Sequence, residues 1–285
     1  MKKSVFTLVL LFSLLISPAS KAQNQTVTLR VPNFVRPLAE KWVAEYTMTN
    51  TDIDFLFASG KSQDNKNTIQ FTTNPDEGIP FARFAILPVT TKQSEAEKII
   101  SGHKLNTRKL KSLFFVDDEE DDEEEELSKS EQKIHIYIAN GQQSVSKLFA
   151  RYLGQQPAAY KGKKIFGDDS FLNDAITKDP LAITVNSLSN IFNLESRTLR
   201  DELSLLPLDL DKQGTQILHQ GNLDDIITLL EQHRYSEIPV AKAGLDFDQA
   251  NPLLADFVNW VLVNGIQYVH QFGLLQLQQN DLVSK

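Results

Sequence analysis

An α/β layer fold arranged as two lobes is the prediction for this chain, and three observations carry it. Short apolar runs alternate with helically spaced apolar residues along most of its 285 residues. No repeat of fixed period interrupts that alternation, and the length suits two lobes. The clearest single unit is Ile134 to Leu153, where Ile134, Ile136 and Ile138 alternate with His135 and Tyr137, and Val145, Leu148, Phe149 and Tyr152 then recur at helical spacing. The turn between them, Asn140 to Ser144, holds only small or amide residues. Such a turn aims backbone N–H groups beyond a helix N-terminus, which favours an anion or carboxylate there; the same residue types also serve merely to cap a helix.

The elements follow in order. Lys2 and Lys3 precede an apolar run from Val5 to Ile16, Pro18 breaks it, and Ser20, Lys21 and Ala22 supply the small residues of a cleavage site before Gln23. Residues 1–22 therefore read as a secretory signal peptide and the destination as the periplasm. An uncleaved anchor is the alternative, and the run is short for a bilayer span. Thr26 to Val31 reads as a strand, Pro37 to Tyr46 as an amphipathic helix, and Ile53 to Phe57 as a second strand followed by a polar turn. Ala82 to Val89 is a third strand and Ser94 to Ser101 a short helix. Leu113 to Val116 reads as a strand crossing out of the first lobe, and Leu203 to Leu208 as the strand that carries the chain back. Lobe 1 is thus residues 23–116 plus 203–285, lobe 2 residues 134–202 with Leu181 to Val185 as a buried strand, and residues 117–133 an acidic flexible loop. Asp209, Asp211 and Gly214 suit a turn after the returning strand. Asp224 to Leu230 is helical, and Asn251 and Pro252 open a final helix through Tyr268 with Leu254, Phe257, Val258 and Val261 on its core stripe.

Charge and composition exclude several function classes. Loss of residues 1–22 removes three lysines and no acid, moving the formal net charge from −8 to −11. Asp117 to Glu126 holds ten of the 37 acids, so the rest of the mature chain is close to neutral. A run of like charge repels itself and stays solvated. It lacks the turn glycine and spaced ligands of a calcium loop, which leaves weak diffuse cation binding or a dock for a basic partner. No basic face with interleaved aromatics is present for nucleic acid. With no cysteine, the chain has neither disulfides, thiolate chemistry nor a lipid-acceptor thiol. The five histidines, at 103, 135, 219, 233 and 270, form no metal-ligand pairing, and no nucleophile elbow, phosphate loop or dinucleotide fingerprint occurs. Adjacent acids such as Asp168 with Asp169, or Asp224 with Asp225, suit caps and solvated turns rather than acid–base work. No enzyme, cofactor or metal is expected.

Four segments, in order, resemble the periplasmic phosphate-binding proteins of ABC importers, the type 2 solute-binding proteins. FVRPLAEKWVAEY, from Phe34 to Tyr46, resembles the family's first strand-to-helix junction, and RFAILPVTTKQSE, from Arg83 to Glu95, the strand closing its first half-lobe. IHIYIANGQQSVSKLFARYLG, from Ile134 to Gly154, resembles the second-lobe strand whose Ser-Gly-Thr turn holds the anion, and the tail from Phe257 to Leu282 resembles the closing helix and turn. The resemblance implies a type 2 two-lobed fold with a hinge, an interlobe cleft, and a small polar or anionic ligand, phosphate or another oxyanion among the candidates. It places ligand contacts at Asn33, Phe34, Ser59, Gly60, Ser62, Gln143, Ser144 and Ser146. A membrane transport complex or other envelope protein is the implied partner of a monomer.

The departures bear on the ligand. Asn33 and Phe34 stand where the family has a Ser-Thr pair, Ser59 to Ser62 is a reduced second turn, and Gln142, Gln143 and Ser144 replace Ser-Gly-Thr. The expected arginine is missing; Arg36, Lys61 and Arg83 are candidate substitutes, and the reading preferred for each is a solvated surface charge. A buried phosphate needs several convergent donors, so these residues suit a larger, more polar and less charged ligand. The alternative is a ligand-free envelope adaptor that uses the same fold for protein–protein contact.

Overall fold

A computed structural model describes residues 25–58, 66–74, 77–116, 127–141, 144–165 and 167–278. The first part builds β1 (Gln25–Arg30), α1 (Arg36–Thr47), β2 (Ile53–Phe57), β3 (Thr68–Thr72) and the long β4 (Ile79–Thr91). The chain then forms α2 (Glu95–Ile100), α3 (Thr107–Phe114), β5 (His135–Ala139), α4 (Val145–Tyr152), β6 (Lys163–Ile165), α5 (Ser170–Ile176) and β7 (Ala182–Ser187). A short α6 (Leu188–Ile191) and the hairpin β8 (Phe192–Asn193) and β9 (Thr198–Leu199) lead to β10 (Leu203–Leu205), α7 (Lys212–Gln220) and α8 (Leu223–Gln232). The end comprises β11 (Val240–Phe247), α9 (Pro252–Val263) and a 3-10 turn over Gly265–Phe272.

One sheet runs in the order β2-β1-β3-β11-β4-β7-β5-β6, with β10 also on β4. Its two halves meet in β4. From Ile79 to Ala85 that strand pairs antiparallel with β11, and from Ile86 to Thr90 it pairs antiparallel with β7. Residues 81–90 of β4 are all buried, as a strand covered on both faces requires. The chain thus passes from the first half of the sheet to the second within β4 and returns just before β11.

Two expected crossings are corrected by this topology. Leu113 and Phe114 end the helix α3, which Asn106 caps by accepting from the Lys109 N–H at 2.8 Å. Leu110, Leu113 and Phe114 are buried at helical spacing, so a short apolar run that looked like a strand is the inner face of a helix. Leu203–Leu205 is a strand, but it pairs with Val89 to Thr91 and stays with the second half. Gly214 and Asp211 belong to a helix start rather than an open turn, since Asp211 accepts from the Gly214 N–H at 2.7 Å and caps α7.

A single apolar cluster spans both halves. In the first, Trp42 of α1 meets Phe81 edge to face at 4.9 Å and donates its indole N–H to the Gly265 carbonyl at 2.9 Å. A Cβ on Gly265 would lie 2.8 Å from Trp42 Nε1, so only glycine lets the tail come close enough to take that bond. Asn251 caps α9 and Pro252 occupies its first turn, as the sequence implied. Gly273, at φ +71°, ends the following 3-10 turn, after which Leu275 forms a bridge to Arg83.

Candidate functional site

Strands β1, β2 and β3 are mutually parallel, as are β7, β5 and β6. In open α/β sheets the crevice outside the carboxyl ends of parallel strands is where turns can reach a ligand. Three such turns come together here: the one from β1 into α1, the one from β5 into α4, and the one from β6 into α5.

The contacts are specific. Asn140 Oδ1 accepts from the Gly167 N–H at 3.4 Å, and a Cβ on Gly141 would lie 3.2 Å from the Gly167 carbonyl oxygen, so the second and third turns lie side by side. The first turn joins them from the other half of the sheet. Asn33 donates its backbone N–H to Asp168 Oδ2 at 3.4 Å, across 135 positions of sequence. The other oxygen of Asp168 accepts from the Ser170 N–H at 3.0 Å.

Asp169, by contrast, is 1% exposed. Its Oδ2 accepts from the Val145 N–H at 2.9 Å, and the Ser146 N–H also reaches the carboxyl, so Asp169 satisfies the first turn of α4 rather than its own helix. A buried amide network fixes its backbone. Asn186 donates to the Asp169 carbonyl at 2.9 Å and to Asn173 Oδ1 at 3.1 Å, while Asn190 donates to Asn186 Oδ1 at 2.8 Å. Asp169 Oδ1 has no hydrogen-bond partner among the described residues. Burial pushes the carboxyl up to about 7, against the pull of the Val145 and Ser146 N–H groups and with a contribution from Asp168.

The residues expected to contact a ligand divide by environment. Asn33 is exposed at the meeting point of the turns. Phe34 is 2% exposed and packs on Phe71 and Phe84 at 5.6 and 4.9 Å, so its ring serves the core; burial of a phenylalanine contributes roughly 1.5–3 kcal/mol. Ser144 caps α4, its Oγ accepting from the Lys147 N–H at 3.3 Å. Ser146 turns its Oγ to the Ala139 N–H at 3.2 Å and its carbonyl takes the Tyr160 hydroxyl at 2.6 Å, which binds the helix to its preceding strand. Ser59, Gly60, Ser62 and Gln143 lie outside the described residues, as do Lys61 and Gln142. Arg36 is engaged by Glu40 at 2.8 Å and sits over the Phe57 ring, and buried Arg83 donates Nε to the Gln276 carbonyl at 2.9 Å. Asp168 and Asp169 were legible only as an acidic pair at a helix start. Their division between two helices depends on the pairing of β5 with β6.

Replacement of Ser144 by Ala should lower stability by about 1 kcal/mol, the worth of a capping hydroxyl, with no change in the steepness of urea unfolding. Its Oγ is committed to its own helix, so affinity for any cleft ligand should stay unchanged in the same variant. A variant of native stability that has lost ligand binding would place Ser144 among the ligand contacts instead.

A concavity away from these turns, about 430 Å³, is lined by Leu194, Arg197, Asp224, His270 and Phe272 among others. Its arginine is structural. Arg197, at φ +61°, bonds Asp224 at 2.6 Å and the His270 and Gln271 carbonyls at 2.8 and 3.0 Å, and it holds the Asp224 carboxyl below its ordinary range. Among the described residues, no group of three or more His, Cys, Asp or Glu is placed to hold a metal ion, and no helix is long and apolar enough to cross a membrane.

No protein-family model matches the chain, and no curated protein matches it in sequence. Solved structures share its fold. A phosphate ABC transporter substrate-binding protein from Clostridium perfringens, solved with bound phosphate, is similar at a TM-score of 0.60 and 11% identity over 89% of this chain and 100% of that one. An ABC-type phosphate transport receptor from Vibrio cholerae is similar at 0.56 and 9% identity, with 89% and 100% covered. The CcmR regulatory domain of Synechocystis PCC6803, in complex with 2-PG, is similar at 0.51 and 11% identity, with 84% and 96% covered. The chain has a type 2 periplasmic-binding-protein-like α/β fold.

Proposed function

We propose that this chain is a secreted, periplasmic solute-binding protein that captures a small polar or anionic ligand between two lobes and catalyses no reaction. The bond from Asn33 to Asp168 carries the reading, because it brings turns from the two halves of the sheet to one place at the carboxyl ends of parallel strands. The lobes are residues 25–85 with 240–278, and residues 86–239, with β4 and the segment entering β11 as the hinge. Closure about those two passages traps the ligand. The fold shared with a phosphate-bound substrate-binding protein and a phosphate transport receptor supports this reading. A membrane transport complex would be the partner. The leader that directs export lies in residues 1–22, outside the described residues.

Thermal unfolding of the mature protein against phosphate, other oxyanions, sugars and amino acids tests it. A specific solute at about 1,000 times its dissociation constant adds about 4 kcal/mol, which raises the midpoint by on the order of 10 °C for a chain of this size. Absence of a shift with every solute would refute capture. One observation favours the ligand-free adaptor as the second reading: Asp168 and Asp169 already engage backbone donors at two of the three turns. In that case a bound protein partner should be lost on deletion of Asp117 to Glu126.

A further inference from the structure

We infer that residues 265–278 form a strap across the hinge, latched to the second half of the sheet by Glu231, that holds the two halves in the disposition seen here. The inference concerns how the halves are held and stands whether or not a solute is captured. The strap begins on the first half, where the Gly265 carbonyl takes the Trp42 indole N–H at 2.9 Å and the Tyr268 ring lies 5.0 Å from Lys41 Nζ. Leu275 then exchanges two backbone bonds with Arg83, at 2.9 and 2.8 Å, just before β4 changes partners after Ala85. The strap therefore passes over the hinge itself.

Its other bonds go to the second half, and chiefly to one helix. Asp224 and Glu231 stand two turns apart on α8 and so share a face. At the start of that face Asp224 holds Arg197, whose guanidinium donates to the His270 and Gln271 carbonyls at 2.8 and 3.0 Å. At its far end Glu231 Oε1 meets His270 Nε2 at 2.8 Å and accepts from the Gln276 N–H at 2.6 Å. The Glu231 carbonyl also accepts from Gln278 Nε2 at 2.8 Å. Gly273 brings the strap against the backbone of α6, since a Cβ there would lie 3.0 Å from the Ser189 nitrogen. The two covalent passages between the halves permit a hinge rotation; the strap opposes it, because parting the halves must break its bonds to α8 or pull it off Arg83. Two hydrogen bonds converge on the Glu231 carboxylate, and bonds to a charged group shift the balance between held and released arrangements by roughly tenfold or more.

The test measures the separation of the halves directly. Ala44 of α1 and Asp174 of α5 are exposed on opposite halves, and the chain has no cysteine, so Ala44→Cys with Asp174→Cys provides one pair of sites for spin labels. Pulsed electron paramagnetic resonance on the mature, solute-free protein then gives the distance distribution. In this background Glu231→Ala should add a second distance, raising a released fraction on the order of 1% to on the order of 10%. Glu231→Gln keeps an acceptor for one of the two donors and should add less. Gln278→Ala, at the end of the strap, removes the bond to the Glu231 carbonyl and the one from Arg234 at 3.1 Å, and should change the distribution in the same direction. Asn106→Ala, which removes the cap of α3, controls for general loss of stability and should leave the distribution unchanged. Distributions of Glu231→Ala and Gln278→Ala that superimpose on the parent, or an equal change in Asn106→Ala, overturn the inference. If Glu231→Ala does not fold, the presence or absence of the second distance in Gln278→Ala decides it.

Discussion

Replacement of Lys109 by Met should destabilise the protein by about 3–5 kcal/mol, because it strands a buried carboxylate. Lys109 Nζ lies 3.2 Å from Glu131 Oε2, with the two side chains 7% and 2% exposed. Burial pushes the Glu131 carboxyl up, but hydrogen bonds from Ser128 and the Lys109 charge outweigh it and hold it below the ordinary 4.5. Glu131 is therefore ionised in the folded protein at neutral pH, and its partner cannot be removed without cost. The stabilisation is present above the ordinary carboxylate range and is lost as pH falls through the depressed value. Two changes together should behave differently. The double variant Lys109→Met, Glu131→Leu replaces a buried pair by apolar groups and should recover most of the loss, as urea unfolding of the three proteins would show. A single variant within about 1 kcal/mol of wild type would mean that water reaches Glu131 and that the pair is not a buried one. The pair also joins the chain before the acidic run to the chain after it.

Local patterns were sufficient where an element carries its own signals. Ile53–Phe57 is a strand over the residues its apolar run marks, and α9 begins where Asn251 and Pro252 place it. They failed where an element is defined by its neighbours. In β11, VAKAGLDF, small and charged residues interrupt the apolar pattern; its strand identity comes from antiparallel pairing on both sides, with β3 and with β4. Thr68–Thr72 is polar at three of its five positions and is a strand because it lies between β1 and β11. Reading α3 as a crossing strand had the widest consequence, for the chain passes between the halves of the sheet within β4 instead. Six apolar residues in succession, Phe84 to Val89, do not say where the pairing partner changes, and that exchange between Ala85 and Ile86 is what joins the two halves.

The candidate site was legible as turns and less so as chemistry. The turn from β5 into α4 was marked by its amides and serines, and Ser144 caps the helix there. Side-chain direction was not accessible from spacing. Ser144 and Ser146 lie two residues apart, yet one bonds the Lys147 N–H of its own helix and the other the Ala139 N–H of the preceding strand. Nor could sequence distinguish Asp168 from Asp169, adjacent and alike, which the paired strands send to different helices.

Replacement of Asp169 by Asn should abolish the loss of stability that this carboxyl alone contributes as pH rises from about 4 to about 7. The carboxyl titrates from an ordinary 3.8 in the unfolded chain to about 7 in the folded one. The folded state therefore holds a proton that the unfolded state has released across this interval, so this group's contribution to stability is greatest below pH 3.8 and declines until the folded group ionises near 7. Three units correspond to on the order of 4 kcal/mol. The start of α4 opposes this, since an anion at a helix N-terminus gains roughly 0.3–2 kcal/mol, and the desolvation of a carboxyl at 1% exposure wins. Urea unfolding of wild type and Asp169→Asn at pH 4.5, 6 and 8 isolates the group, because every other titration is shared and cancels in the difference. The amide retains an oxygen for the Val145 N–H, so the variant should be relatively more stable at pH 8 than at pH 4.5 by a few kcal/mol. Parallel curves would show that water or relaxation of the turn solvates Asp169. The Tyr160 hydroxyl provides a second reading of the same charge. Burial raises its pKa well above the ordinary 10, Asp169 raises it further, and the variant should bring its spectroscopic titration back down.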